Sequence, residues 1–354
     1  MNEALKKLLK ALSNPEEELD VIKSRQLMDL KKLDPFKRFY RTIDQKIYNG
    51  DHQVPTRIYF PSQESFETVN IEEYHRARAD IDMGKMVDNT YPVLLFFHGG
   101  GFVTESVESY NRICWNMAKA TGHVVVSVDY RLAPEHRFPA GLMDCYAVAK
   151  AVFQDQTILQ VKPEHITVIG DSAGGNLAAA VCQMARDRGD FHPRRQILIY
   201  PCLNSDYSDG SPYASVRENG QDYLLTQRDM MDYLDLYQSS PADRENPYFA
   251  PLEARDYRDL PRTLVLTGEF DPLRDEGEEY ARRIRRAGGE ASSRRIADGV
   301  HGFLMMPLRY PAVRELYEQI NEFLKEVSAG VSDTEEQMEK FGKYGQDFPG
   351  YQQR

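Results

Sequence analysis

Val168-Ile169-Gly170-Asp171-Ser172-Ala173-Gly174-Gly175 places a serine in G-x-S-x-G spacing, after an apolar run and before a stretch rich in small residues. The run at 166–169 reads as a buried strand and the stretch at 175–188 as a helix. A serine at so tight a strand-to-helix turn is held in strained backbone geometry, with its hydroxyl lifted above the sheet edge. Side chains two positions either side would collide, which explains Gly170 and Gly174. The N-terminus of the following helix favours developing negative charge. Ser172 is therefore the candidate nucleophile. A glycine-rich phosphate turn or a plain tight connection is the alternative reading.

The rest of the chain repeats this strand-helix alternation. Residues 93–97, 124–128, 197–200 and 264–267 are short, continuous apolar runs, as in strands covered on both faces. Helical patterns at 111–120 and 141–154 lie between them. Such alternation implies an α/β chain, a mostly parallel sheet with helices on both faces. Residues 54–60 alternate in polarity after the turn signal Asn49-Gly50. The first fifty residues read as helices. Leu5, Leu8, Leu9 and Leu12 recur opposite Lys6, Lys7 and Lys10, and Leu19, Ile22, Leu27, Leu30 and Leu33 follow Asn14-Pro15. Two surface helices packed on a core are expected there. The division expected is a helical segment 1–50, a catalytic domain 51–328 and a polar extension 329–354. The domain carries a charged insertion at 62–90 and a further segment at 205–245.

Composition narrows the class. The chain has 354 residues, 41% hydrophobic and 28% charged, in the range of a soluble globular protein. A net charge of −11 repels phosphate backbones and anionic lipid, so neither nucleic acid nor a membrane is an expected partner. No run is long and apolar enough to span a bilayer. Lysines interrupt the N-terminal apolar stretch, unlike a secretory signal. Cys114, Cys145, Cys182 and Cys202 form no C-x-x-C pair, so buried free thiols in a reducing cytoplasm are expected, with no metal.

His98-Gly99-Gly100-Gly101-Phe102 follows the strand at 93–97. Three successive glycines have no packing value and carry an entropic cost, so something must approach the backbone closely there. In an acyl-transfer enzyme that something is the oxyanion, bound by the amides of Gly100 and Gly101 together with that of Ala173. A dinucleotide-binding turn is disfavoured because G-x-G-x-x-G is absent. His98 reads as a support of the loop. Asp271, in Gly268-Glu269-Phe270-Asp271-Pro272-Leu273, stands just past an apolar run, with Glu269, Asp275 and Glu276 as rival acids. Gly299-Val300-His301-Gly302-Phe303 sets a histidine between glycines in a loop after the strand-like 291–296.

The chain resembles the bacterial hormone-sensitive-lipase family of α/β-hydrolases. The resemblance rests on His98-Gly99-Gly100-Gly101, on Asp129-Tyr130-Arg131-Leu132-Ala133-Pro134-Glu135-His136 and on Gly170-Asp171-Ser172-Ala173-Gly174. Asp271-Pro272-Leu273 with Asp275-Glu276-Gly277, and His301-Gly302-Phe303, complete it. It covers roughly residues 50–328. It implies the α/β-hydrolase fold, an eight-stranded mostly parallel sheet with a helical cap, and hydrolysis of carboxylic esters without metal or cofactor. The family's triad carries onto Ser172, Asp271 and His301, and its oxyanion donors onto the amides of Gly100, Gly101 and Ala173. The stretch from Asp129 to His136 matches a structural element of the family.

The partner so implied is a small-molecule ester. An amidase or peptidase on the same machinery differs only in its leaving group. A binding receptor on an inactive hydrolase scaffold is disfavoured, because His301 is present. The insertion at 62–90 and the tail at 329–354 depart from the family's pattern; solvated surface is the simplest reading, a homo-oligomer contact another. The cap is expected in two pieces, the N-terminal helices and 205–245, with a helix opening at Thr226 and Asp229. By resemblance, its tyrosines would close a pocket for short acyl chains, from acetyl to hexanoyl.

Overall fold

In the computed structural model the described residues are 19–29, 34–62, 91–154, 157–159 and 161–325, together with Lys7, Leu9, Lys10 and Ser13. Residues 63–90 and 329–354 of the expected insertion and tail, and Leu5, Leu8, Leu12, Leu30 and Leu33, lie outside them.

Eight strands form one sheet: β1 (Thr42–Tyr48), β2 (Gln53–Tyr59), β3 (Val93–Phe97), β4 (Val124–Val128), β5 (Ile166–Asp171), β6 (Arg195–Ile199), β7 (Arg262–Phe270) and β8 (Ala291–Val300). Their spatial order is β1-β2-β4-β3-β5-β6-β7-β8. β2 runs antiparallel to both of its neighbours, and every pair from β4 to β8 is parallel. This is the expected mostly parallel α/β sheet.

The apolar runs are continuous because both faces are covered. Val93, Leu95 and Phe97 face one core, with Leu142 and Cys145 of α3 (Ala140–Phe153) and Leu177 and Val181 of α4 (Ala173–Arg188). Leu94 and Phe96 face the other, with Met117 of α2 (Asn111–Thr121) and Leu316 and Ile320 of α8 (Pro311–Lys325). All four cysteines are free and buried, as expected, and burial pushes the Cys114 thiol up to about 12.

Two expectations for the N-terminus need correction. Residues 42–48 form β1, not a helix, paired from Tyr48↔Gln53 to Thr42↔Tyr59 with β2. Ile43 and Ile47 stand four apart, a spacing that suits one face of a helix and one face of a strand alike. Asn49-Gly50 is thus the turn inside a hairpin. The second correction concerns α1 (Val21–Asp29), which packs on the core through the partly buried Val21 but buries no residue fully and leaves Ile22 71% and Leu27 59% exposed. A polar clasp holds it. Arg25 donates to the carbonyls of Val103 (2.9 Å) and Ala133 (2.8 Å) and pairs both carboxylate oxygens of Glu135.

The segment after β6 supplies α5 (Ala214–Asn219) and α6 (Gln227–Tyr237). Thr226 and Asp229 form the expected reciprocal cap: Asp229 N donates to Thr226 Oγ1 at 3.0 Å and Thr226 N to Asp229 Oδ2 at 2.9 Å. The N-terminal residues meet this segment through Lys10 to Asp222 (3.1 Å), Leu224 N to Ser13 Oγ (2.9 Å) and Leu19 N to Asp232 Oδ2 (3.1 Å). α7 (Arg274–Arg286) packs between β7 and β8 on the first face. Among the described residues no helix is long and apolar enough to cross a membrane.

Candidate active site

Ser172 sits between the end of β5 and the start of α4 with φ +53° and ψ −119°, a conformation L-residues avoid. The surrounding glycines make the strained turn sterically feasible. A Cβ on Gly170 would lie 2.1 Å from the carbonyl oxygen of Gly174, and one on Gly174 would lie 2.0 Å from that of Phe97. The collision anticipated from the sequence is therefore present on both sides. Ser172 N donates to Ile199 O at 2.9 Å, and Cys202 N to Ser172 O at 3.2 Å, so β6 and its continuation hold the turn.

His301 follows β8, which runs past 296 to Val300 and so delivers the histidine straight from a strand end. Its Nε2 lies 2.9 Å from Ser172 Oγ, and its Nδ1 lies 2.9 Å from Asp271 Oδ2. Asp271 is fully buried just after β7, with Oδ1 accepting from Leu273 N at 2.8 Å. Its own carbonyl accepts from Asn219 Nδ2 at 3.2 Å, and that of Pro272 from Ser215 Oγ at 2.8 Å, so α5 pins the turn that carries the acid.

The three rival acids are engaged elsewhere. Glu269 accepts from Asp298 N at 2.8 Å, clasping the ends of β7 and β8. Asp275 accepts from Ser215 N at 2.8 Å and pairs with Arg274. Glu276 is buried, with Oε1 accepting from Leu203 N (2.7 Å) and Tyr207 Oη (2.8 Å). Burial raises its carboxyl to about 8.

Gly100 and Gly101 have φ of +107° and +60°, values that glycine adopts without strain. Gly100 O accepts from Val103 N (3.0 Å) and Thr104 N (2.8 Å), folding the loop back on itself. Gly100, Gly101 and Ala173 share one pocket of about 160 Å³ with Ser172 and His301. Leu225, Met230 and Tyr233 wall it from the segment after β6. His98 is buried, stacked on Tyr130 at 4.4 Å, with Nδ1 2.8 Å from Gly99 O and its pKa lowered chiefly by burial.

Sequence reading missed two contributors. Asp171, beside the serine, is a buried carboxylate that accepts from Gly99 N (2.9 Å), Tyr110 Oη (3.0 Å) and Tyr200 Oη (3.3 Å). Burial raises it to about 6. Tyr200, at φ +35°, packs its ring 4.8 Å from that of His301. An acidic residue inside a motif carries no spacing signal of its own, and a tyrosine at a strand end carries none.

A serine, a histidine and a buried carboxylate in hydrogen-bonded series, at the carboxyl edge of a mostly parallel α/β sheet, define a class of hydrolase scaffold. The profile of the alpha/beta hydrolase fold family matches residues 94–305, and the chain belongs to that family. It is similar to ethyl acetate hydrolase of Pseudomonas putida, 36% identical over 214 residues, 60% of this chain and 66% of that protein. It is also similar to an arylesterase of Saccharolobus solfataricus, 32% identical over 287 residues, 81% of this chain and 83% of that one. The match to the first thus spans just under two thirds of that relative's length. Among solved structures, the Pyrobaculum calidifontis esterase superposes with a TM-score of 0.77 at 35% identity, covering 93% of this chain and 99% of that one. These relatives agree with the hormone-sensitive-lipase resemblance read from the motifs.

Proposed function

We propose that this protein is a serine carboxylesterase that hydrolyses small, short-chain acyl esters through an acyl-enzyme, with Ser172 as nucleophile, His301 as base and Asp271 as orienting acid. The observation that carries this reading is the His301 ring, bonded to Ser172 on one nitrogen and to Asp271 on the other. An ionised carboxylate only accepts, so Nδ1 carries the hydrogen toward Asp271 and Nε2 offers its lone pair to the serine hydroxyl.

His301 takes the Ser172 proton as Oγ attacks the ester carbonyl, and the imidazolium is stabilised by Asp271. The amides of Gly100, Gly101 and Ala173 receive the oxyanion; each such donor is typically worth about 2.7–4 kcal/mol in the transition state. His301 then protonates the departing alcohol, and water repeats the sequence on the acyl-enzyme. No step needs a metal or cofactor. The pocket of about 160 Å³ suits a short acyl group, and the names of the relatives support esters as substrates. The N-terminal residues and the segment after β6, joined by Lys10 to Asp222 and Leu19 to Asp232, are read as one two-piece cap.

Intact-mass analysis after treatment with a fluorophosphonate tests the reading. One adduct on Ser172, formed in step with loss of esterase activity and absent from Ser172→Ala, is expected. Inactivation with the adduct on another residue would refute it.

A further inference from the structure

We propose that Tyr233 is the residue that sets acyl size, by roofing the candidate oxyanion loop at Gly101. The proposal rests on the esterase reading above and deepens it. A Cβ built on Gly101 would lie 2.3, 2.5 and 2.6 Å from Cδ1, Cγ and Cε1 of Tyr233. One edge of the ring therefore occupies the space that any side chain at 101 would need. The third glycine of the run is required by the cap as much as by the substrate.

The register of α6 fixes this contact. The cap at Thr226 and Asp229 starts the helix, which places Met230, Tyr233 and Tyr237 on one face. Tyr237 stacks on Phe102, the next residue after Gly101, with ring centroids 3.9 Å apart and planes 3° from parallel. Tyr237 O accepts from Phe138 N at 2.8 Å. Thr104 Oγ1 donates to Gly100 O at 3.0 Å, closing the same loop from within. Gly101 and Phe102 are thus each covered by a ring of one cap helix, so the roof and the donors form a single packed unit.

Chemistry then assigns the side of the substrate. The leaving oxygen must face His301 Nε2, which protonates it, and the oxyanion must face the loop amides. The acyl substituent is left to point away from His301, toward Leu225, Met230 and Tyr233. Tyr233 closes that direction immediately beside the carbonyl.

The test measures kcat/KM per fluorophosphonate-titrated site for two ester series, acyl groups from acetate to decanoate on one aryl alcohol and alcohols of rising size on acetate. Tyr233→Ala is expected to raise the decanoate-to-butyrate ratio about tenfold, the scale of relieving overpacking in a formed pocket, with Tyr233→Phe restoring the original ratio. The alcohol series should keep its order. Gly101→Ala should cost far less kcat in the Tyr233→Ala background than in the parent, because the colliding ring is gone. The left-handed φ keeps that rescue partial. An unchanged acyl ratio, a change confined to the alcohol series, or an equal Gly101→Ala loss in both backgrounds would overturn the proposal. Failure of the parent protein to take up the fluorophosphonate would instead overturn the esterase reading, and titration per site separates either result from misfolding.

Discussion

The carboxylate of Asp171 accepts the backbone N–H of Gly99 at 2.9 Å, so the residue before the candidate nucleophile holds the loop that carries the candidate oxyanion donors. Tyr110 and Tyr200 hold the same carboxylate from α2's side and from the end of β6. Asp171→Ala is expected to lower kcat by about 10–100-fold with KM little changed, since misplaced donors cost transition-state binding only. Asp171→Asn, which keeps an acceptor for Gly99, should recover most of that loss. Steady-state kinetics and the Ki of a trifluoromethyl ketone, rising in parallel with the fall in kcat/KM, check it; a fall in Tm with kcat intact would mean that the clamp serves only the fold.

The rival acids offer a control. Glu269→Gln and Asp275→Asn should retain most of kcat, because their carboxylates hold the N–H groups of Asp298 and Ser215. Each should lower stability by about 0.5–1.5 kcal/mol, the usual worth of such a bond. Urea melts and kcat measured on one preparation check both halves. Loss of activity in either variant, with Asp271→Asn active, would reassign the acid.

Glu276 predicts a pH dependence of stability. Its carboxyl rises from 4.5 to about 8 on folding because burial disfavours the charge. Between those values the folded state binds more protons than the unfolded, so this group's contribution falls as pH rises from about 4.5 to about 8. Glu276→Gln is expected to match the parent near pH 5 and to exceed it progressively toward pH 8. Urea midpoints across that window read the difference; parallel curves would show that Glu276 is ionised in the fold.

Arg25 carries α1. Its partner Glu135 is lowered to about 2, first by the Arg25 hydrogen bond, so the pair's contribution is complete above about 4.5 and is lost as pH falls through about 2. Glu135 is exposed, so the ion pair itself adds little. The carbonyls of Val103 and Ala133 matter more, and lysine cannot reach both with a planar fork. Arg25→Lys should therefore speed proteolysis within the first thirty residues nearly as much as Arg25→Ala at neutral pH. Equal protection of Lys and parent would make the charge, not the fork, the clasp.

The sheet and the series Ser172, His301, Asp271 were legible because their signals are local. Continuous apolar runs mark strands covered on both faces, and glycines mark turns where a Cβ has no room, as at Gly170 and Gly174. β1 was misread because the helical spacing that ends at Leu33 was carried on to residue 50, although Ile43 and Ile47 fit one face of a strand equally well. The helix α1 was expected to pack on apolar side chains; Val21 does so, but the Arg25 clasp adds to it where Ile22 and Leu27 stay exposed, and a single polar residue has no period. Asp171, Tyr200 and the Gly101–Tyr233 contact were invisible for a further reason. They join residues distant in sequence, and only the fold sets their spacing.

If Ser172, His301 and Asp271 act as one unit, kcat of the single and double variants reveals it. Ser172→Ala, His301→Ala and Asp271→Asn should each lower kcat by about 10³–10⁴-fold or more, with unfolding midpoints close to the parent. Ser172→Ala combined with His301→Ala should lose little beyond either single change, because the second residue has nothing left to activate. Multiplicative losses in the double variant, or near-parental kcat in Ser172→Ala, would contradict the account.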